Sequence, residues 1–103
     1  MIVAFSVAPT VTDNPTAEMS GAVARAVRVV RESGLPNETT SMFTTVEGEW
    51  DEVMDVIKRA TQAVEEVSPR VSLVLKADIR PGHTDMLHQK MESLNKHFES
   101  EGK

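Results

Sequence analysis

The spacing of apolar residues switches repeatedly between a helical period and a strand period along this chain, and the order of those switches constrains its fold most. Ile2 to Ala8 is a short apolar run with β-branched and aromatic residues, closed by Pro9, as a buried strand would be. Thr10 to Pro15 reads as a loop. Met19, Val23, Ala26, Val27 and Val30 then recur at helical spacing, with Arg25, Arg28, Arg31 and Glu32 on the other side, which predicts an amphipathic helix. Asn14-Pro15 supplies a cap and a first-turn proline, and Ser33-Gly34-Leu35-Pro36 supplies a left-handed glycine and a stop.

Two Thr-rich pieces follow, Glu38 to Met42 and Thr44 to Glu47, which read as strands joined near Phe43. A second helix begins after Gly48, with Glu49, Asp51 and Glu52 where the helix dipole favours negative charge. Its core stripe is Val53, Val56, Ile57, Ala60, Val64 and Val67, and Ser68-Pro69 ends it. From Val71 to Ile79 the pattern alternates: Val71, Leu73, Leu75, Ala77 and Ile79 share one face, and Ser72, Val74, Lys76 and Asp78 the other. After the turn Arg80-Pro81-Gly82, Thr84 is placed to cap a last helix bearing Leu87, Met91, Leu94 and Phe98. The order β-α-β-β-α-β plus a C-terminal helix is an α+β, ferredoxin-like sandwich: a four-stranded antiparallel sheet with both long helices on one face.

At 103 residues, 40% hydrophobic and 26% charged, the chain is expected to form one domain over residues 1–103. A domain this small gains stability by burying surface between subunits, so self-association is expected. The net charge of −5 argues against nucleic acid, whose binders cluster Lys and Arg; the arginines of the first helix form a solvated face instead. Without cysteine there is no disulfide framework and no thiolate nucleophile. Met1 to Phe5 is too short for a signal peptide or membrane span, so no membrane partner and a cytoplasmic location are expected.

The second sheet face carries Ser72, Lys76 and Asp78, joined by Ser6, Thr45 and Glu47. Such a face either meets water, as antiparallel sheets allow, or packs on another subunit around a polar pocket. The densest set of candidate ligand contacts is Ser41 to Trp50, where the hydroxyls of Ser41, Thr44 and Thr45, the Glu47 carboxylate, Gly48 and the aromatics Phe43 and Trp50 come together. A carboxylate beside an aromatic suits a cationic heteroaromatic ligand through ion pairing and cation–π attraction. Glu47 is expected to matter most to binding; Trp50 either reaches the ligand or anchors its helix to the core or to another subunit.

Catalytic patterns are missing: there is no nucleophile elbow and no Gly-rich phosphate loop. His83, His88 and His97 do not stack on one helix face as a metal site requires, and read as surface residues. No catalytic residue, metal or cofactor is assigned.

The fragments F-S-V-A-P (Phe5 to Pro9), E-S-G-L-P (Glu32 to Pro36) and T-T-V-E-G-E-W-D-E-V-M (Thr44 to Met54) resemble the small thiamine-binding protein family of the YkoF-like superfamily, with Glu38 and Ser41 adding to the likeness. The resemblance runs from Ile2 to about Phe98. It implies a ferredoxin-like subunit, a homotetramer, and binding of thiamine or its hydroxymethylpyrimidine moiety without known catalysis. Two rivals share the topology: a small α+β-barrel enzyme of the monooxygenase or haem-degrading kind, and a regulatory module that binds an effector such as an amino acid between subunits.

Overall fold

The computed structural model describes residues 1–10, 15–82 and 84–101, and the side chains of all of these but 15–20, 89–91 and 99–101. The elements are β1 (Ile2–Pro9), α1 (Pro15–Glu32), β2 (Asn37–Thr39), β3 (Thr44–Glu47), α2 (Trp50–Glu65), β4 (Val71–Asp78) and α3 (Met86–Glu101). The strands form one antiparallel sheet in the order β2-β3-β1-β4. This is the α+β, ferredoxin-like arrangement expected from the sequence, with its additional C-terminal helix.

Strand register sorts the side chains into two faces. Val3 opposes Val46 and Ala77, and Phe5 opposes Thr44 and Leu75. Val3, Phe5, Val7 and Val46 belong to one core cluster with Ala22, Ala26 and Val30 of α1 and Val53, Val56, Ile57, Ala60 and Val64 of α2. On the other face, Ile2 lies between Glu47 and Asp78, Ala4 between Thr45 and Lys76, and Ser6 beside Val74. The polar set predicted for that face is thus brought together by the ladder.

Differences from expectation have local causes. The β2–β3 connection is longer than predicted: β2 ends at Thr39, and the Thr40 hydroxyl donates to the Phe43 carbonyl (3.1 Å) and accepts from its N–H (3.3 Å). A threonine that satisfies backbone groups this way draws the chain into a turn instead of a strand. In α1 the buried stripe runs through Ala22, Ala26 and Val30, and Val23 is 40% exposed instead of buried; the cap expected at Asn14 and the core position of Met19 lie outside the described residues and side chains. Val67 falls beyond the end of α2 and is exposed. Gly34, at φ +82°, does end α1 as predicted.

The last helix departs most. Thr84 and Asp85 precede it, Asp85 at φ +55°, and its first turn is held from outside: the Glu47 carboxylate accepts from Met86 N–H (2.6 Å) and Leu87 N–H (3.3 Å). Met86 is buried, but Leu94 and Phe98 are exposed. The radius of gyration, 15.6 Å, exceeds the roughly 13 Å of a compact domain of about 100 residues, as expected when a helix extends from the body.

Phe5 is 2% exposed at the centre of the core. Phe5→Ala should lower unfolding free energy by roughly 3–5 kcal/mol, read from the urea midpoint at unchanged slope.

Candidate functional site

The β-ladder leaves one side of β1 open. β3 pairs with β1 only from Ile2 to Phe5, because β3 begins at Thr44, whereas β4 pairs along the whole of β1. Beyond Phe5 the chain of the β2–β3 turn swings away, and a cleft of about 160 Å³ remains between Ser6–Ala8, the turn residues 39–44 and α1. Ser6, Ser41 and Thr44 of the predicted site line this cleft, together with Thr39 and Thr40. Its apolar lining includes Val23, Met42 and Phe43, all among the exposed large hydrophobic residues. Hydroxyls set in an apolar recess beside an open strand edge are what a small polar heterocycle requires.

Glu47 points to the other sheet face and is only 5% exposed. Its two oxygens hold the first N–H groups of α3, where an anion also meets the positive end of the helix dipole. A second cleft, about 320 Å³, opens beside it and is lined by Met1, Leu35, Pro36, Glu47, Gly48, Glu49, Thr84 and Asp85. Gly48 lies close to its neighbours and has no left-handed φ: a Cβ on it would lie 3.2 Å from Val53 Cγ2 and 3.4 Å from the Leu35 methyls, which would have to give by a few tenths of an ångström. Glu49 caps α2, its side chain accepting from the Glu52 backbone while the Glu52 carboxylate accepts from Glu49 N–H (3.2 Å).

Trp50, 55% exposed, lines neither of these clefts. It borders a third, about 190 Å³, with Met1, Glu49, Ile79, Arg80, Pro81 and Gly82. Thr45, Lys76 and Asp78 lie on the second sheet face and line none of the three. The predicted set therefore divides into the hydroxyl cleft, the carboxylate cleft, the Trp50 cleft and the open sheet.

Sequence reasoning did not single out Thr39, Thr40 or Val23 for the first cleft, or Thr84 and Asp85 for the second. The Thr40 turn left a signal in the unbroken Thr-Thr-Ser run, but Val23 is reached only by knowing which way α1 is rolled. Among the described residues, no group of three or more His, Asp or Glu side chains could hold a metal ion. Among the described residues, no helix is long and apolar enough to cross a membrane. His88 is exposed and sits 3.4 Å from Glu92, and His83 lies outside the described residues.

The model of the family described as Thiamine-binding protein matches residues 3–95. A UPF0045 protein of Mycobacterium bovis is 48% identical over 99 residues, covering 95% of this chain and 94% of its own. A solved structure of a Bacillus cereus domain of unknown function, DUF77, superimposes with a TM-score of 0.76 at 33% identity, over 86% of this chain and 84% of that one. A Thermotoga maritima structure, assigned by inference to thiamine biosynthesis or salvage, does so with a TM-score of 0.74 at 27% identity, over 89% of this chain and 96% of that one.

Because the Glu47 carboxylate is buried and bonded to two backbone N–H groups, Glu47→Ala should cost roughly 1–3 kcal/mol in chemical denaturation. Glu47→Gln, which keeps one acceptor oxygen, should recover part of that loss.

Proposed function

The chain belongs to the thiamine-binding protein family, and on that premise we propose that it binds thiamine or its hydroxymethylpyrimidine moiety, without catalysis, as a homotetramer. The observation that carries the choice of site is the open edge of β1 inside the hydroxyl cleft. An aminopyrimidine offers N–H donors beside ring-nitrogen acceptors. A strand edge without a ladder partner offers the matching carbonyls and N–H groups, and Ser6, Ser41 and Thr44 add hydroxyls that can serve either role. At about 160 Å³ the cleft is smaller than the roughly 300–1,000 Å³ typical of drug-sized ligands, so it suits one ring. The apolar side chains of Val23, Met42 and Phe43 would cover the ring faces.

A second reading places the cationic thiazolium in the carboxylate cleft. The observation in its favour is that Glu47, Glu49 and Asp85 line a cleft twice as large, which shares Met1 and Glu49 with the recess of Trp50. Against it, the Glu47 oxygens are occupied by α3. The proposed tetramer would enclose the part of the second sheet face that α3 leaves uncovered, including Thr45, Lys76 and Asp78, whereas in a monomer Lys76 stays in water.

Thermal shift and calorimetry with thiamine and hydroxymethylpyrimidine test the binding; a ligand at a hundred times its Kd stabilises by roughly 2.7 kcal/mol. Thr44→Val and Ser41→Ala should weaken binding several-fold while Glu47→Gln changes it little, and the fluorescence of Trp50, the only tryptophan, should be unaffected. Saturable quenching of Trp50 with affinity lost in Glu47→Gln would move the ligand to the carboxylate cleft. No stabilisation by either compound would refute the function itself. Light scattering should return four times the subunit mass, and a monomer at micromolar concentration would refute the assembly.

A further inference from the structure

Hydrogen-bonding parity along β1 singles out one residue of the hydroxyl cleft. In an antiparallel ladder each residue turns both its N–H and its C=O to the same neighbouring strand, and successive residues turn them to opposite neighbours. The Gly48 N–H donates to the Met1 carbonyl (3.1 Å), so Met1 and Gly48, one step beyond Ile2 and Glu47, form a hydrogen-bonded pair. By alternation Val3 and Phe5 turn their backbone groups to Val46 and Thr44 of β3. On the other side the Thr10 N–H donates to the Arg70 carbonyl (3.0 Å), one step beyond Pro9 and Val71, which assigns Ile2, Ala4, Ser6 and Ala8 to β4. The two assignments are independent and agree.

Val7 is the next residue to turn toward β3, and there the ladder has ended. Continued past Phe5 and Thr44, the register would set Met42 opposite Val7. The chain reverses first: the Thr40 N–H donates to the Phe43 carbonyl (2.9 Å), which leaves Ser41 and Met42 at the tip of the hairpin, Met42 72% exposed. Among the described residues no backbone group pairs with the N–H and C=O of Val7 on this side, although Val7 is buried and lines the cleft. A backbone donor and acceptor left open in a buried strand are costly, and native structures almost always give them a partner.

We infer that the N–H and C=O of Val7 are the polar anchor for the ligand, and that they take the edge of an N-heterocycle bearing an amino group beside a ring nitrogen. The amino N–H donates to the Val7 carbonyl, and the ring nitrogen accepts from the Val7 N–H, in place of the two bonds a longer β3 would have made. The inference deepens the binding reading above, rests on it, and gives the ligand an orientation. The thiazolium ring of thiamine has no N–H, and its quaternary nitrogen has no lone pair to offer. The pyrimidine therefore enters the cleft and the thiazolium points outward.

Backbone amide exchange of the whole chain, followed by NMR without ligand and with saturating hydroxymethylpyrimidine, tests the anchor. In the free protein the Val7 amide should exchange faster than those of Ser6 and Ala8, which β4 holds. Ligand should slow Val7 by about tenfold or more and leave the other two unchanged. In calorimetry the pyrimidine without its amino group should bind about tenfold more weakly, as the loss of one hydrogen bond implies. Equal protection of Val7, Ser6 and Ala8 in the free protein would overturn the open edge. Calorimetric binding with Val7 exchange unaltered, or with full affinity retained by the analogue without the amino group, would overturn the anchor while leaving the binding function intact. Binding of neither thiamine nor hydroxymethylpyrimidine would overturn both.

Discussion

The pairing of β1 with two antiparallel neighbours organises the rest of the molecule. Val3, Phe5 and Val7 face the helices, and each ladder places a neighbouring strand in register with them. A shift of one residue would turn this apolar set to the other face and expose it, so burial fixes the register as firmly as the hydrogen bonds do. Because the β4 ladder is complete and the β3 ladder stops at Phe5, the same strand also borders the hydroxyl cleft. The site is a consequence of unequal strand lengths and needs no strained backbone.

Much of this was legible in the sequence where a pattern reports one physical requirement. The α2 stripe from Val53 to Val64 is buried as its spacing predicts, since a single helix face meets the sheet. The glycine after α1 and the alternation of β4 were equally direct. Less legible were features that depend on position in the sheet. Leu73 and Leu75 have the same alternation as buried residues, but β4 is an edge strand, and among the described residues no strand pairs with its outer side. Val23 satisfies the helical stripe as well as Ala22 does, and the roll of α1 decides between them. The cap of α3 was beyond reach, because its carboxylate comes from a residue 39 positions earlier.

The predicted site residues show how composition and geometry divide. A cluster of hydroxyls, a carboxylate and two aromatics within ten residues of sequence suggests one pocket. A strand, however, sends successive side chains to opposite faces, and Thr44 lines the hydroxyl cleft while Thr45 does not. The segment around Glu47 is rich in specific contacts for two separable reasons: it lines clefts, and it joins β3, α2 and α3 at one junction. Either reason alone would account for such a segment.

The way α3 is attached has a consequence for how the chain opens. The amides of Met86 and Leu87 are bonded to a buried carboxylate of β3, so they exchange with solvent only when that junction comes apart. Toward Phe98 the described side chains of the helix are exposed, among them Leu94 and Phe98. Protection along α3 would therefore decline from its first turn outward, and the helix would fray from its far end in many small steps while the sheet and its two covering helices stay folded.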